Sequence, residues 1–177
     1  MKNVRLCLLI THLSLLLAQP KSPEEIFGFR IGDDYKLADY SQMVDYHRQL
    51  ATNSDRVILE EIGKTVLGRP MLLQFISTPE NLRQLDRWKS ISTKLARARI
   101  SENEARNLVK EGKSILWIDG GMHATERAHG QMTAELAYRI ATEESEEMKK
   151  IRENVIVLLM PVMNPDGMDI VVDWYRR

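Results

Sequence analysis

The segments SILWIDGGMHATE (residues 114–126) and NVIVLLMPVMNPDG (residues 154–167) decide the fold. Each begins with a short apolar run and passes directly into a polar loop that contains glycine or proline. A run of this length, bounded by turn residues, is typical of a strand that is buried on both faces of a sheet. Residues 126–142, between the two runs, carry apolar side chains at helical spacing. We therefore predict a strand–helix–strand unit.

The chain before this unit shows the same alternation of patterns. Runs rich in valine, isoleucine, leucine and phenylalanine predict strands, and apolar side chains three or four positions apart predict helices. A Gly68-Arg69-Pro70 turn separates two of the strands, and the Thr78-Pro79 pair marks the start of a helix. These predicted elements are a helix over 40–50, strands over 56–63 and 71–77, and helices over 79–95 and 102–111.

Strands that alternate with helices predict the α/β class, as a three-layer α/β/α sandwich around a mixed, mostly parallel sheet. We assign residues 40–177 to this domain. Residues 19–39 are polar and contain two prolines and two glycines, so we expect an extended lead-in there.

The first 18 residues have the order of a secretory signal peptide. Lys2 and Arg5 precede an apolar-rich run over residues 6–17, and Ala18 is the expected cleavage position. The run is shorter than the roughly 20 residues that span a bilayer. A buried helix or a membrane anchor is the alternative. With a signal peptide, the protein is exported, to the periplasm or the extracellular medium, and has no stable membrane insertion after cleavage.

Composition narrows the class of function. The chain has 177 residues, of which 44% are hydrophobic and 28% charged, as in ordinary globular proteins. Its formal net charge is zero, so nothing in it indicates a nucleic-acid partner. The single cysteine, Cys7, lies in the predicted signal peptide, which leaves no disulfide and no thiolate nucleophile in the remainder.

Polar residues that follow the two apolar runs are the candidates for chemistry, because open α/β sheets form sites at the carboxyl ends of their strands. His123 and Glu126 stand three apart where a loop passes into a helix. Imidazole and carboxylate are both ligands of Zn²⁺. Gly120 and Gly121 let the backbone turn sharply there. Alone, this His-x-x-Glu pattern is equally compatible with a solvated loop histidine and a helix-capping glutamate.

Three motifs in order resemble the M14 family of zinc metallocarboxypeptidases. The segment GMHATE (residues 121–126) is similar to the zinc-binding loop of that family. The Asn164-Pro165-Asp166-Gly167 loop is similar to the family's loop at the next strand end. The segment from Ile62 to Met71, with its Gly-Arg-Pro turn, resembles the family's early hairpin.

The resemblance implies an N-terminal portion of a zinc carboxypeptidase-like domain and a peptide or protein substrate with a free C-terminus. In this family one zinc is held by two histidines, a glutamate and a water, which makes His123 and Glu126 the first two ligands. Many members carry arginine where this chain has Thr125. Arg176 is a candidate for the family's oxyanion-stabilising arginine, although its spacing departs from the better-known members.

Other polar residues near the motif have weaker predicted roles. Asp119 could orient His123 through a hydrogen bond. Asn164 and Asp166 fit the shaping of a turn. His129 extends the pattern to His-x-x-Glu-x-x-His, but the family takes its third ligand from a distant strand.

The family's third zinc histidine and general-base glutamate have no counterpart in these 177 residues. We therefore expect an incomplete sheet, weak zinc affinity and no peptidase activity from this chain alone. Two other functions stay open. One is a zinc amidohydrolase or deacylase of related fold, and the other is a non-catalytic secreted binding module.

Overall fold

A computed structural model describes residues 19–177. The predicted signal peptide, and with it Cys7, lies outside this range. Within the range, no helix has both the length and the apolar character needed to cross a membrane.

Residues 19–177 form eight helices and four strands. The helices are α1 (Pro23–Phe27), α2 (Tyr40–Thr52), α3 (Pro79–Leu82), α4 (Leu85–Arg97), α5 (Glu102–Glu111), α6 (Arg127–Thr142), α7 (Glu146–Asn154) and α8 (Pro165–Arg176). The strands are β1 (Val57–Lys64), β2 (Pro70–Ile76), β3 (Ser114–Asp119) and β4 (Val155–Met160). The predicted helix over 40–50 and the strands over 56–63, 71–77 and 154–160 are confirmed.

The four strands form one mixed sheet in the order β1-β2-β4-β3. β1 pairs with β2 and β2 with β4 in antiparallel fashion, whereas β3 and β4 are parallel. Only β2 therefore runs against the other three strands. This arrangement confirms the α/β class and the mixed sheet in which most strands share one direction.

The sheet is covered on both faces, which confirms the three-layer sandwich. Along β4, Val157 and Leu159 belong to the main core, which contains buried residues of α1, α2, α6 and α8. The alternate residues Ile156 and Leu158 face a smaller cluster around Trp88 of α4. Successive side chains of a strand point to opposite faces, so β4 separates the two cores.

The prediction that β3 is buried on both faces is wrong. Ile115, Leu116 and Trp117 are between 42% and 48% exposed. In the described part of the chain β3 pairs with β4 alone, so it is the edge strand of this sheet. An apolar run does not distinguish a central strand from an edge strand, because the difference depends on neighbours that are remote in sequence.

The lead-in over 19–39 is not extended throughout, because it contains the short helix α1. Ser22 and Glu25 cap this helix reciprocally: the Ser22 hydroxyl accepts from the Glu25 amide and the Glu25 carboxylate accepts from the Ser22 amide. Pro23 occupies the first turn and Phe27 is buried in the main core. The capping box stabilises the helix start, and the aromatic ring anchors it.

The predicted helix over 79–95 is two helices. The Thr78 hydroxyl caps α3 as expected, but the chain leaves helical geometry at Gln84 before α4 begins. This change of direction lets the Trp88 indole donate to the Asn81 carbonyl oxygen at 3.0 Å while the ring lies in the smaller core.

Candidate metal centre

The loops that follow β3 and β4 lie side by side. Strand register places Asp119 opposite Met160, so both strands end at the same edge of the sheet. The loops are then joined by backbone hydrogen bonds, with Met163 N donating to Gly120 O at 2.7 Å and Asn164 N donating to Gly121 O at 3.2 Å. The two motifs that the sequence singled out therefore form one structural unit.

Two glycines let the β3 loop fit into this unit, as predicted. Gly121 has φ of 59°, a left-handed conformation that side chains with a Cβ rarely adopt. A Cβ on Gly120 would lie 2.6 Å from Thr133 Cγ2 and 2.7 Å from the His129 carbonyl oxygen. The loop thus packs directly on α6, and residues 122–126 extend from this close contact.

His123 and Glu126 face each other at the start of α6. The distance between His123 Nδ1 and Glu126 Oε1 is 2.7 Å, and the His123 amide donates to Glu126 Oε2 at 3.0 Å. Their side chains are 72% and 31% exposed. Glu126 is the N-cap residue of α6, so the helix begins at Arg127, one position after the start of the predicted span 126–142. One imidazole nitrogen and one carboxylate oxygen thus converge on a region that solvent reaches.

The Glu126 carboxylate is strongly stabilised in its ionised form. The backbone hydrogen bond from His123, assisted by the contact with the His123 ring, lowers the pKa of Glu126 to about 2. A carboxylate that is ionised at neutral pH is the form that binds a metal ion.

The pair fits part of a zinc site. A tetrahedral zinc ion binds imidazole nitrogen and carboxylate oxygen at about 2.0–2.2 Å, so two ligand atoms on one ion are about 3.4 Å apart. Nδ1 and Oε1 lie 2.7 Å apart in direct hydrogen-bond contact, so the two side chains would have to move slightly apart to admit the ion between them. Over residues 19–177, however, no group of three or more histidine, cysteine, aspartate or glutamate side chains is arranged to hold a metal.

His129 does not complete the site. It lies on α6 with its Nδ1 atom 3.8 Å from Glu126 Oε2, and its side chain is 64% exposed. It is therefore a neighbour of Glu126 and not part of a ready three-ligand arrangement.

The residues predicted to shape the site have structural partners. Asp119 accepts a hydrogen bond from the Trp117 indole at 2.8 Å, and among described residues it makes none to His123. Asn164 caps α8 by accepting from the Gly167 amide at 2.9 Å. The turn-shaping role of Asn164 is supported by this contact, whereas a role for Asp119 in orienting His123 stays a prediction.

Asp166 connects the second loop to the β1–β2 hairpin. Its carboxylate accepts from the Thr65 hydroxyl at 2.8 Å and from Arg69 Nη1 at 2.9 Å. Arg69 also donates to Asp169 at 2.6 Å. The sequence marked the Gly-Arg-Pro turn but gave no indication that its arginine binds the Asn-Pro-Asp-Gly loop.

Arg176 lies in the last turn of α8, and its side chain is directed to the start of α2. The guanidinium donates to Asp39 at 2.8 Å, to the Leu37 carbonyl oxygen at 2.9 Å and to Gln42 at 3.2 Å. None of these acceptors belongs to the loop that carries His123. The contacts give Arg176 a structural role, and its oxyanion role stays a prediction that this arrangement does not support.

Arg127 is a residue of the site that sequence reasoning missed. It is 8% exposed, and its Nη2 atom donates to the His123 carbonyl oxygen at 3.3 Å. An arginine next to a glutamate at a helix start is usually solvated, so the sequence carries no signal of this burial.

Fold and site together define an α/β protein with a histidine–glutamate pair at the carboxyl edge of its sheet. The family model of the zinc carboxypeptidases, peptidase family M14, matches residues 43–177. The chain belongs to this family. No curated protein sequence matches it.

Solved structures with a similar fold include the following three. Bovine thrombin-activatable fibrinolysis inhibitor, in complex with tick carboxypeptidase inhibitor, is 17% identical with a TM-score of 0.55, and the match covers 80% of this chain and 36% of that one. Carboxypeptidase A from Helicoverpa armigera is 17% identical with a TM-score of 0.56, covering 85% and 32%. A metallo-carboxypeptidase from Burkholderia cenocepacia is 21% identical with a TM-score of 0.52, covering 74% and 28%. The chain thus spans about a third of the length of these structures.

Proposed function

We propose that this chain is the N-terminal portion of an exported zinc-dependent metallocarboxypeptidase, which hydrolyses the C-terminal peptide bond of peptides or proteins. The observation that carries the proposal is the 2.7 Å approach of His123 Nδ1 and Glu126 Oε1 at the end of β3, in a chain of the zinc carboxypeptidase family. Export is proposed from the charged and apolar order of residues 1–18.

His123 and Glu126 would hold the zinc. When bound, the ion supplies a Lewis acid and lowers the pKa of a water ligand. The hydrogen bonds from His123 keep the carboxylate of Glu126 ionised and hold both side chains at the loop-to-helix junction. Arg127 stabilises the same loop through the His123 carbonyl oxygen.

Two ligands are fewer than the three protein ligands that catalytic zinc sites use. The remaining ligand and the general base belong, in this proposal, to a longer form of the protein, in agreement with the 28–36% coverage of the related structures named above. The chain by itself would bind zinc weakly and would not cleave peptides.

The longer protein tests this function directly. It should release the last residue of a peptide with a free C-terminus and leave the C-terminally amidated peptide intact. A chelator and the His123→Ala substitution should each abolish release, and His129→Ala should leave it largely unchanged. Release that survives the chelator would refute zinc dependence, and cleavage of an acylated amine in place of the peptide would favour a deacylase.

A further inference from the structure

The helical hairpin of α4 and α5 carries a positive charge that the rest of the protein does not share. Residues 83–113 contain nine lysine and arginine side chains against four acidic ones, an excess of five positive charges. The other residues of the range 19–177 contain fourteen basic and twenty-one acidic side chains, an excess of seven negative charges. The zero net charge of the chain therefore does not describe how this surface would meet a charged partner.

Part of this charge has no counterion within the described part of the chain. Arg83, Arg87, Lys94 and Arg106 each pair with a carboxylate. Among residues 19–177, no carboxylate oxygen lies within 4.0 Å of the other five cations of the hairpin, which are Lys89, Arg97, Arg99, Lys110 and Lys113. Lys89 stands apart from the other four, because it lines a groove together with two acidic residues, Glu60 and Asp86.

Two ion pairs fix how α4 and α5 lie against each other. Arg87 donates to Glu111 at 2.8 Å, and Lys94 lies 3.4 Å from Glu104. Residues early in α4 thus contact the end of α5, and residues late in α4 contact its beginning. The two helices are therefore antiparallel, with the turn over residues 98–101 at one end.

The unpaired cations lie at both ends of this hairpin. Arg97 and Arg99 flank the start of the turn, and Lys110 and Lys113 lie at the opposite end, near Arg87. Ten residues of helix separate Arg87 from Arg97, which corresponds to roughly 15 Å along the axis. Arg97, Arg99 and Lys110 are exposed and Lys113 is half-buried. We call these four residues the basic face.

Trp88 holds the cations at one end of the hairpin in place. The Arg87 guanidinium carbon lies 4.9 Å from the centroid of the indole ring, and Lys113 Nζ lies 5.8 Å from it. Lys113 also donates to the carbonyl oxygen of Glu153 at 2.8 Å. A cation that is already positioned in this way loses less side-chain entropy when it binds an anion.

The basic face lacks the features of two other kinds of polyanion-binding surface. Sites for single-stranded nucleic acid use exposed aromatic rings on which bases stack, whereas the one aromatic residue of segment 83–113, Trp88, is 6% exposed. Helices that bind at a membrane surface insert large apolar side chains, and in this segment Val109 is the only exposed one. Cations spread over roughly 15 Å fit a linear polymer that repeats an acidic group.

We propose that the basic face binds an acidic polysaccharide outside the cell. Lysine and arginine form charge-assisted hydrogen bonds with sulfate and carboxylate groups. Lys113 directly precedes β3, whose last residue, Asp119, lies at the edge of the candidate metal centre, about 20 Å further along the strand. A polymer bound at the basic face would localise an exported protein and leave the metal centre open to its substrate.

A short fluorescein-labelled dextran sulfate is the probe, and uncharged dextran of the same length is its comparison. Fluorescence anisotropy measures binding of each to the metal-free chain. We expect the sulfated polymer to bind and the uncharged one not to bind. Because cations displace counterions from the polymer, raising the salt from about 50 to about 200 mM should weaken binding by roughly tenfold or more.

A triple variant with Arg97→Gln, Arg99→Gln and Lys110→Gln tests whether the basic face is the binding surface. It should bind dextran sulfate roughly tenfold more weakly than the unmodified chain. Circular dichroism checks that the variant is folded. If the triple variant does not fold, the double variant Arg97→Gln with Arg99→Gln, which changes only the turn end, should still weaken binding about threefold or more.

A second triple variant, with Arg30→Gln, Arg139→Gln and Lys149→Gln, is the matched control. These side chains are 77%, 54% and 42% exposed, and each pairs with an acidic neighbour outside the hairpin. The two triple variants change the net charge equally, so the control should lose less than about twofold in affinity.

Equal losses in the two triple variants would overturn the inference, because net charge alone would then explain binding. Failure to bind dextran sulfate, or equal binding of the uncharged dextran, would overturn it as well. Tighter binding to a DNA oligonucleotide of the same charge would make the face a nucleic-acid site. Tighter binding to vesicles with anionic lipid would make it a membrane site, and both results would refute the polysaccharide.

Discussion

The guanidinium of Arg69 donates to the carboxylate of Asp166 across 2.9 Å, although 97 positions separate the two residues in the chain. This bond joins the Gly-Arg-Pro turn of the β1–β2 hairpin to the Asn-Pro-Asp-Gly loop after β4. Thr65 adds a hydroxyl donor to the same carboxylate at 2.8 Å. The β4 loop is itself joined by backbone hydrogen bonds to the loop that carries His123. The hairpin turn is therefore connected to the candidate metal centre through the β4 loop.

A double-mutant cycle measures this link. Arg69→Met and Asp166→Asn should each destabilise the fold, and their coupling energy should be about 1 kcal/mol. The value is modest because the two side chains are still 30% and 20% exposed, so solvent screens the pair. Urea unfolding of the four proteins gives the coupling.

The Arg83–Glu80 pair provides the control for the cycle. Both side chains are 67% exposed and lie three positions apart. Their coupling should be close to zero. A coupling at Arg69–Asp166 that is no larger than the control value would contradict the structural role assigned to the link.

We expect zinc affinity to depend on the two residues at the loop-to-helix junction. His123→Ala and Glu126→Gln should each weaken zinc binding by this chain on the order of tenfold or more, because each removes one of two proposed ligands. His129→Ala should change the affinity much less, since its ring lies 3.8 Å from Glu126 and outside the pair. Competition with a zinc-sensitive dye measures all three variants. A loss in His129→Ala as large as in His123→Ala would make His129 a ligand.

The buried His47 should make stability depend on pH. Burial lowers the pKa of His47 to about 4, although its hydrogen bond with Gln74 acts in the opposite direction. In the unfolded chain the value is about 6.5. Between these pH values the unfolded chain binds more protons than the folded one, so stability falls as the pH decreases from 6.5 to 4 and is fully present above 6.5.

The expected loss is about 3 kcal/mol over this window. Urea unfolding at a series of pH values, for the unmodified chain and for His47→Gln, provides the measurement. The variant should show a much flatter profile above pH 4.5. Parallel profiles for the two proteins in that range would disprove the role of His47.

Close packing of the β3 loop predicts a contrast between two glycines. A Cβ on Gly120 would meet the Thr133 side chain and the His129 backbone below 3.0 Å, so Gly120→Ala should destabilise the protein by about 2–3 kcal/mol. Gly130, inside α6, has its nearest such neighbour at 3.6 Å. There alanine fits and favours the helix, so Gly130→Ala should be neutral or stabilising by up to about 1 kcal/mol. Thermal unfolding compares the two, and equal effects would show that the loop adjusts freely.

The sequence predicted the parts of the fold that local patterns encode. The apolar spacing of α2 and the apolar runs of β1, β2 and β4 depend on neighbours within a few positions, and these elements are confirmed. Helix α1 was not predicted, because its capping residues Ser22 and Glu25 lie in a segment whose prolines and glycines are typical of extended chain. The exposure of β3 was unpredictable from its own residues, because it depends on which strands lie beside it.

The candidate site likewise contains one contact that a local sequence pattern predicts and several that depend on distant parts of the chain. The closeness of His123 and Glu126 follows from three positions of spacing at a strand end, which the sequence displays directly. The contacts of Arg69, Arg176 and Arg127 connect distant segments, and no pattern within one segment reveals them. Arginine is long enough to reach acceptors on several elements, so its partner is decided by packing rather than by its neighbours in sequence.

Among residues 19–177, β3 pairs with β4 alone, and we expect its open side to make the behaviour of this chain depend on its concentration. The backbone groups of this strand that point away from β4 can form a ladder with any other extended segment, and Ile115, Leu116 and Trp117 offer apolar surface on either side of it. We expect a second molecule to supply such a segment at high concentration, so that self-association competes with the monomer. Leu116→Lys would place a charge in the contact between two β3 edges. Because Leu116 is 48% exposed, this substitution should leave the two buried cores unchanged.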